Sequence, residues 1–148
     1  MTTAVHDPHT YESLRSVLRT VARVRAEFVD SLDRELAPFD ITAAQFFILM
    51  LVAGGEAHSA SQLCKGISYD PGAMTRMLDR LEQKGLVRRA QCPDDRRRTT
   101  LEVTAEGRSM IPKLRDAAAK VQSHFLRGFT PGDVRELDGY LQRILANV

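Results

Sequence analysis

The chain has no tryptophan, two cysteines, four histidines and 6% aromatic residues. Each shortage removes a class of reading. Cys64 and Cys92 cannot build the several-bridge framework that staples small secreted domains, and they suit a reducing cytoplasm. The histidines are scattered as His6, His9, His58 and His124. His6 and His9 lie on a loose polar arm, where solvated histidines outnumber metal ligands, and no His and acid cluster forms elsewhere, so neither metal nor cofactor is expected. No Ser-His-Asp or Cys-His set stands at catalytic spacing and there is no glycine-rich phosphate loop, which argues against an enzyme. The longest apolar run, Phe46–Ala53, is too short to cross a membrane. The opening MTTAVHDPHT has neither the basic start nor the apolar centre of a secretory signal.

What is present is an ordinary globular composition, 43% hydrophobic and 27% charged over 148 residues, enough for a single domain spanning 1–148 with its own core. The net charge is only +2, but it is unevenly placed. Between Arg76 and Arg98 there are eight basic residues and four acidic ones, so this segment carries +4 and the remainder −2. Such a segment can dock a polyanion at one face, and it can equally be a solvated charged surface.

Residues 11–37 read as one long helix, with Leu14, Leu18, Val21, Phe28 and Leu32 on a stripe that Val17, Val24 and Leu36 widen. So broad an apolar face needs a large sink, and a subunit interface supplies one; a plain core helix is the alternative. Pro38 ends it. Thr42-x-x-Gln45 is a capping box opening a helix over Ala43–Ala53, apolar on almost every side and so expected to be central, with Gly54-Gly55 as its stop. Ser59-x-x-Gln62 is a second capping box, for a short helix that buries Leu63 and Ile67 and ends in a turn at Gly66, Ser68 and Tyr69. Asp70 then serves as N-cap with Pro71 at the first helical position. Met74, Leu78 and Leu81 mark the buried face of the helix that follows, flanked by Met77. Gly72, Ala73, Thr75, Arg76, Asp79 and Arg80 are left facing outward, and Gly85 ends the helix. Two strands are expected at 86–90 and 99–103, joined by a turn over 92–98 whose tip is Arg96, Arg97 and Arg98. Thr104 caps a further helix bent at Pro112, and Thr130-Pro131-Gly132-Asp133 opens the last one.

Helix, turn, helix and basic hairpin make a winged helix-turn-helix over 42–104, in a mainly α chain. A helix fits the major groove, and small residues at its start let the backbone approach closely. Its N-terminal amides favour phosphate. Gln62, Asp70, Gly72, Ala73, Thr75 and Arg76 are the candidates there, with Arg80 suited to a phosphate or to a bridge with Asp79 or Glu82. Arg96, Arg97 and Arg98 suit the narrow minor groove, with Asp95 able to hold Arg97 in place. Cys92 stands beside Arg88 and Arg89, where cationic neighbours can activate a thiol, and is the first redox candidate. Cys64, on the short helix beside Leu63, is the second, although it reads more simply as a small apolar residue.

The strings ELAPFDITAAQFFIL, YDPGAMTRMLDRLEQKGLVRR and CPDDRRRTTLEVTAEG resemble the MarR family of bacterial transcription regulators, in order along the whole chain. Gly85-Leu86-Val87 and Asp95-x-Arg97 are the most diagnostic pieces. The resemblance implies a homodimer in which helices over 11–37 and 105–146 interlock, and two lobes that bind double-stranded DNA. It implies repression of a palindromic operator, relieved by a small aromatic or amphipathic anion. Thr75, Arg80 and Arg89 match positions that face phenolic carboxylates in such proteins. A deeper pocket at the junction of the first, second and fifth helices would be lined by Phe46, Met50 and Arg19. The alternatives are a redox-responsive repressor using Cys92 or Cys64, and a winged helix that binds protein.

Overall fold

The computed structural model describes residues 8–67, 69–92 and 95–148, with the side chains of 8–14 and 96–98 outside the description. His6 falls outside these residues, as do the side chains of His9 and Leu14 and residue Ser68. Helices α1 (Pro8–Leu36), α2 (Ala43–Ala53), α3 (Ala60–Ile67) and α4 (Pro71–Gln83) precede an antiparallel pair, β1 (Val87–Cys92) and β2 (Asp95–Val103). Helices α5 (Ala105–Phe125) and α6 (Pro131–Leu145) complete the chain. This is a mainly α winged helix-turn-helix.

The helix starts follow local chemistry. Thr42 Oγ1 accepts the Gln45 N–H at 3.2 Å, and Gln45 Oε1 accepts the Thr42 N–H at 3.2 Å, a complete capping box. Thr130 and Asp133 form the same reciprocal pair at α6, and the two hydrogen bonds from Thr130 hold the Asp133 carboxyl below its ordinary range. Thr104 caps α5, which runs on past Pro112 without a break in the helix.

The core gathers around α2. Ile48 and Leu49 are fully buried, as are Leu32 and Leu36 of α1, Leu63 of α3 and Leu114 of α5. Phe28 and Phe125 meet edge to face at 5.5 Å where α1 crosses α5. The apolar stripe of α1 therefore divides. Its C-terminal part joins the core, while Val17, Leu18, Val21 and Val24 are all more than 40% exposed. Helix α6 buries no residue, and Leu137, Tyr140, Ile144 and Leu145 stand in the open.

The hairpin differs from expectation. Pairing continues to Cys92 opposite Asp95, while the neighbouring pair is Gln91 opposite Thr99, so Arg96, Arg97 and Arg98 are looped out of register within β2. The arginines belong to a bulged strand and not to the tip, because the ladder is longer than the apolar alternation that marks it. The outer side of β2 gains a further rung where the Leu101 N–H donates to the His58 carbonyl at 3.0 Å. Gly66 also shifts, from the expected turn into the last turn of α3.

Helix α5 lies directly on the residue that leads into β1. A Cβ on Gly107 would sit 2.3 Å from the Leu86 carbonyl oxygen and 2.7 Å from a Val103 methyl. The same carbonyl accepts the Thr104 N–H at 3.0 Å, and Thr104 Oγ1 donates to Gly85 O at 2.6 Å. Gly107→Ala is expected to cost about 1–3 kcal/mol by overpacking. Gly139→Ala on α6, where nothing lies within 4 Å, should be neutral or stabilising by up to about 1 kcal/mol. Urea unfolding of both variants checks the pair; equal effects would remove the close approach as the reason for Gly107.

Candidate nucleic-acid interface

Helices α3 and α4 meet through a polar turn. Ser59 Oγ accepts the Gln62 N–H at 3.2 Å, but Gln62 Oε1 turns to the His58 N–H at 2.7 Å, so the reciprocal bond falls one residue before the expected one. The Gln62 side chain thus braces the start of α3. Asp70 Oδ1 accepts the Ala73 N–H at 3.0 Å, and Pro71 follows at the first helical position. Met74, Leu78 and Leu81 are buried to 2% exposure or less. That seam turns Gly72, Thr75, Arg76 and Arg80 to the outside, with Ala73 half-buried beside them.

The outer residues have distinct local settings. Thr75 Oγ1 donates to Pro71 O at 2.9 Å, leaving its oxygen able to accept from outside. A Cβ on Gly72 would lie 3.2 Å from Asp70 Oδ1 and 3.6 Å from Arg76 Nη1, so the Arg76 guanidinium lies over the first turn of α4. Arg76 and Arg80 make no ion pair with a described residue.

Arg88 and Arg89 are committed. Arg88 binds Glu102 across the ladder through Nε at 2.9 Å and Nη2 at 2.6 Å. Arg89 reaches Asp79 Oδ1 at 2.7 Å, and its Nη1 pairs with Glu82. The hydrogen bond to Asp79 is the main reason its guanidinium holds its proton more firmly than usual; Glu82 adds to this and partial burial opposes it. Asp79 and Glu82 therefore serve the wing and not Arg80. The sequence offered Asp79 and Glu82 as partners for Arg80, where the structure gives them to Arg89, and it passed over Glu102, whose signal was the register opposite Arg88.

In the wing, Asp95 is exposed at the start of β2, and the backbone of Arg96, Arg97 and Arg98 follows it, their side chains outside the description along with any contact between Asp95 and Arg97. Cys92 is half-buried at the end of β1. Arg88 and Arg89, the cations expected beside it, are both paired with carboxylates. Cys64 is half-buried against the core. Among the described residues no group of three or more His, Cys, Asp or Glu could hold a metal ion.

A shallow cavity of about 310 Å³ lies between α4 and the wing, lined by Ala60, Thr75, Leu78, Arg89, Thr99 and Leu101. It brings Thr75 and Arg89 together and leaves Arg80 outside. The other expected trio is not assembled. Phe46 is 7% exposed in the core and Met50 is half-buried, whereas Arg19 borders a cavity lined only by α1 residues.

The MarR family model matches residues 41–99. The multiple antibiotic resistance protein MarR of Escherichia coli (strain K12) is 33% identical over 115 residues, 77% of this chain and 80% of that protein. The uncharacterized HTH-type transcriptional regulator YhbI of Bacillus subtilis is 30% identical over 112 residues, 76% of this chain and 71% of that protein. Among solved structures, a mutant E. coli MarR complexed with operator DNA superposes with a TM-score of 0.80 at 29% identity, covering 91% of this chain and 97% of that one.

The arginine network predicts its own energetics. A double-mutant cycle on Arg89 and Asp79 in urea unfolding should return about 0.5–1 kcal/mol, since the cation serves two carboxylates but a third of it faces solvent. The Arg88–Glu102 cycle, on a more exposed arginine, should return about 0.2–0.5 kcal/mol.

Proposed function

The chain belongs to the MarR family, and from that premise we propose that it is a homodimeric DNA-binding transcription regulator, acting as a repressor in the cytoplasm. The observation that carries the reading is the division of the basic residues. Among the described residues Arg76 and Arg80 have no ion-pair partner on the outer face of α4, while Arg88 and Arg89 are paired with carboxylates of α4 and β2. A helix whose outer face offers uncommitted guanidiniums beside small residues has the chemistry for phosphates and guanine edges. The similarity in fold to an E. coli MarR structure complexed with operator DNA supports duplex DNA as the polyanion here.

In this reading Gly72 and Ala73 allow close approach, Thr75 and Arg76 reach base edges, and Arg80 meets the backbone. Asp70 and Gln62 hold the two helix starts in place. Arg97, with Arg96 and Arg98 beside it on the bulged strand, enters the minor groove and Asp95 orients it. The exposed apolar residues of α1 and α6 form the subunit interface, which places two copies of α4 on half-sites of a palindrome. A small aromatic anion would occupy the cavity shared by Thr75 and Arg89, where it competes with Asp79 and Glu82 for the guanidinium and so loosens the wing from α4.

In a gel shift with the DNA upstream of its own gene, Arg97→Ala and Arg76→Ala should each weaken binding by about 1–3 kcal/mol. Arg88→Ala, whose cation is already paired, should change it by less than about 0.5 kcal/mol. Equal losses at all three positions would mean that only net charge matters, and the division of roles would fall. Sedimentation should show a dimer, and Leu18→Glu combined with Leu137→Glu should give a monomer that keeps its far-ultraviolet helical signal around the core. A dimer unaffected by that pair of charges would place the interface elsewhere.

A further inference from the structure

Lys84 closes α4, and its ammonium is consumed inside the molecule. Its backbone N–H caps the helix on Arg80 O and Glu82 O. Its side chain runs to the corner between α1 and α2, which lies 44 residues away in sequence at Asp40 and 39 away at Gln45. There Nζ donates to the Asp40 carbonyl oxygen, pairs with Asp40 Oδ2 at 3.0 Å and lies 3.4 Å from Gln45 Oε1. Of the three donors of an ammonium, two find hydrogen-bond acceptors here, and the charge also faces the Asp40 carboxylate.

Those acceptors are themselves held. Asp40 sits at φ 56° and ψ 38°, the one non-glycine with positive φ among the described residues, and its N–H bonds Ala37 O at 3.0 Å. Gln45 is the buried polar side chain of the core, at 3% exposure, and its Oε1 also accepts the Thr42 N–H. Asp33 Oδ1 accepts the Ala43 N–H at 2.5 Å, tying α1 to the start of α2. The Asp40 carboxylate is 92% exposed, so that leg contributes little. The backbone carbonyl and the buried Gln45 set the geometry.

The apolar seam of α4 fixes which face is buried, but apolar contact is not directional. Directional hydrogen bonds at one end fix the tilt. The magnitude matters: α4 has 13 residues, which at about 1.5 Å each make a helix roughly 20 Å long. A tilt of about 10° pivoting at Lys84 moves the far end by about 3.4 Å, one base-pair step. We propose that Lys84 is a positioning residue, a strut that fixes α4 against the α1–α2 corner and so restricts the spacing of half-sites that two copies can read. The proposal rests on the reading of the chain as a dimeric DNA-binding regulator.

Two readouts test it, one independent of DNA. Spin labels at Glu35→Cys on α1 and Arg76→Cys on α4, with Cys64→Ser and Cys92→Ser, report the α1–α4 distance in dimers diluted with unlabelled chain. Lys84→Met keeps the aliphatic stem, loses all three donors, and should broaden a narrow distribution. The second readout uses the unlabelled chain and a duplex that wild type selects from a randomised pool, with one base pair added or removed at its centre. Wild type should lose about tenfold or more on the altered spacings, and Lys84→Met less than about threefold. An unbroadened distribution overturns the strut, and broadening with wild-type spacing discrimination overturns its role in specificity. Broadening in a protein that selects no duplex at all would sustain the hold on α4 and refute the regulator reading instead. If Lys84→Met does not fold by its thermal melt, Gln45→Met removes one fixed acceptor and takes the same two measurements.

Discussion

The burial of Met74, Leu78 and Leu81 along one side of α4 decides where the rest of that helix points. Each such side chain contributes about 1.5–3 kcal/mol when removed from water. The exposed ion pairs around it contribute about 0–1 kcal/mol each. Packing therefore chooses the face, and no rearrangement of surface charge can turn Arg76 and Arg80 inward. The cap at Asp70 and the left-handed Gly85, at φ 71°, then fix where that presented surface begins and ends. The Gly107 contact serves the same seam from the other side, since it seats α5 against the Leu86 carbonyl at the point where α4 hands over to the wing.

Around this seam the charges are distributed by role. Arg89 joins β1 to Asp79 and Glu82 of α4, and Arg88 joins β1 to Glu102 of β2. These pairs make helix and hairpin one body, so a shift of the wing is felt by α4. Among the described residues Arg76 and Arg80 have no such pairing. The segment's excess of +4 is thus not a diffuse field: Lys84, Arg88 and Arg89 hold shape, and among its described residues Arg76 and Arg80 are the cations left for a polyanion. An anion in the cavity at Thr75, as proposed above, would meet a guanidinium already claimed twice, so its binding and the stiffness of the wing would be thermodynamically linked.

Much of this was legible in the order of residues, where the cause is local. Thr42 with Gln45, Thr130 with Asp133, Asp70 with Pro71, and the spacing of Met74, Leu78 and Leu81 are all set within a few residues of one another. What was not legible depends on distant partners. The ladder reaches Cys92 and Asp95 because hydrogen bonds extend it beyond its apolar residues, and that places the arginines in a bulge and not at a tip. Gln62 was expected to close its capping box on the Ser59 N–H, and its oxygen instead takes the His58 N–H one residue earlier. Gly107 carries no local signal in the sequence, since the carbonyl it makes room for is 21 residues earlier. Phe46, Met50 and Arg19 share an apolar-and-basic pattern, but α1 has left the core before it reaches Arg19.

That departure of α1 from the core bears on the whole design. Residues 15–27 are exposed throughout, and α6 buries nothing. Most helical stability in proteins comes from packing an apolar face, and here those faces stand in water. Two helices with apolar residues outward gain stability by covering the same faces of a second copy, which is the interface proposed above. Yet α1 does not end at that surface. Its last two turns carry Leu32 and Leu36, both fully buried beneath the winged lobe, and Asp33, which holds the start of α2. One continuous helix therefore runs from the proposed subunit contact into the core that supports α4. A rigid rod shared by two bodies carries rotation from one to the other, so in the proposed dimer the packing of α1 against its partner and the attitude of α4 would be set together.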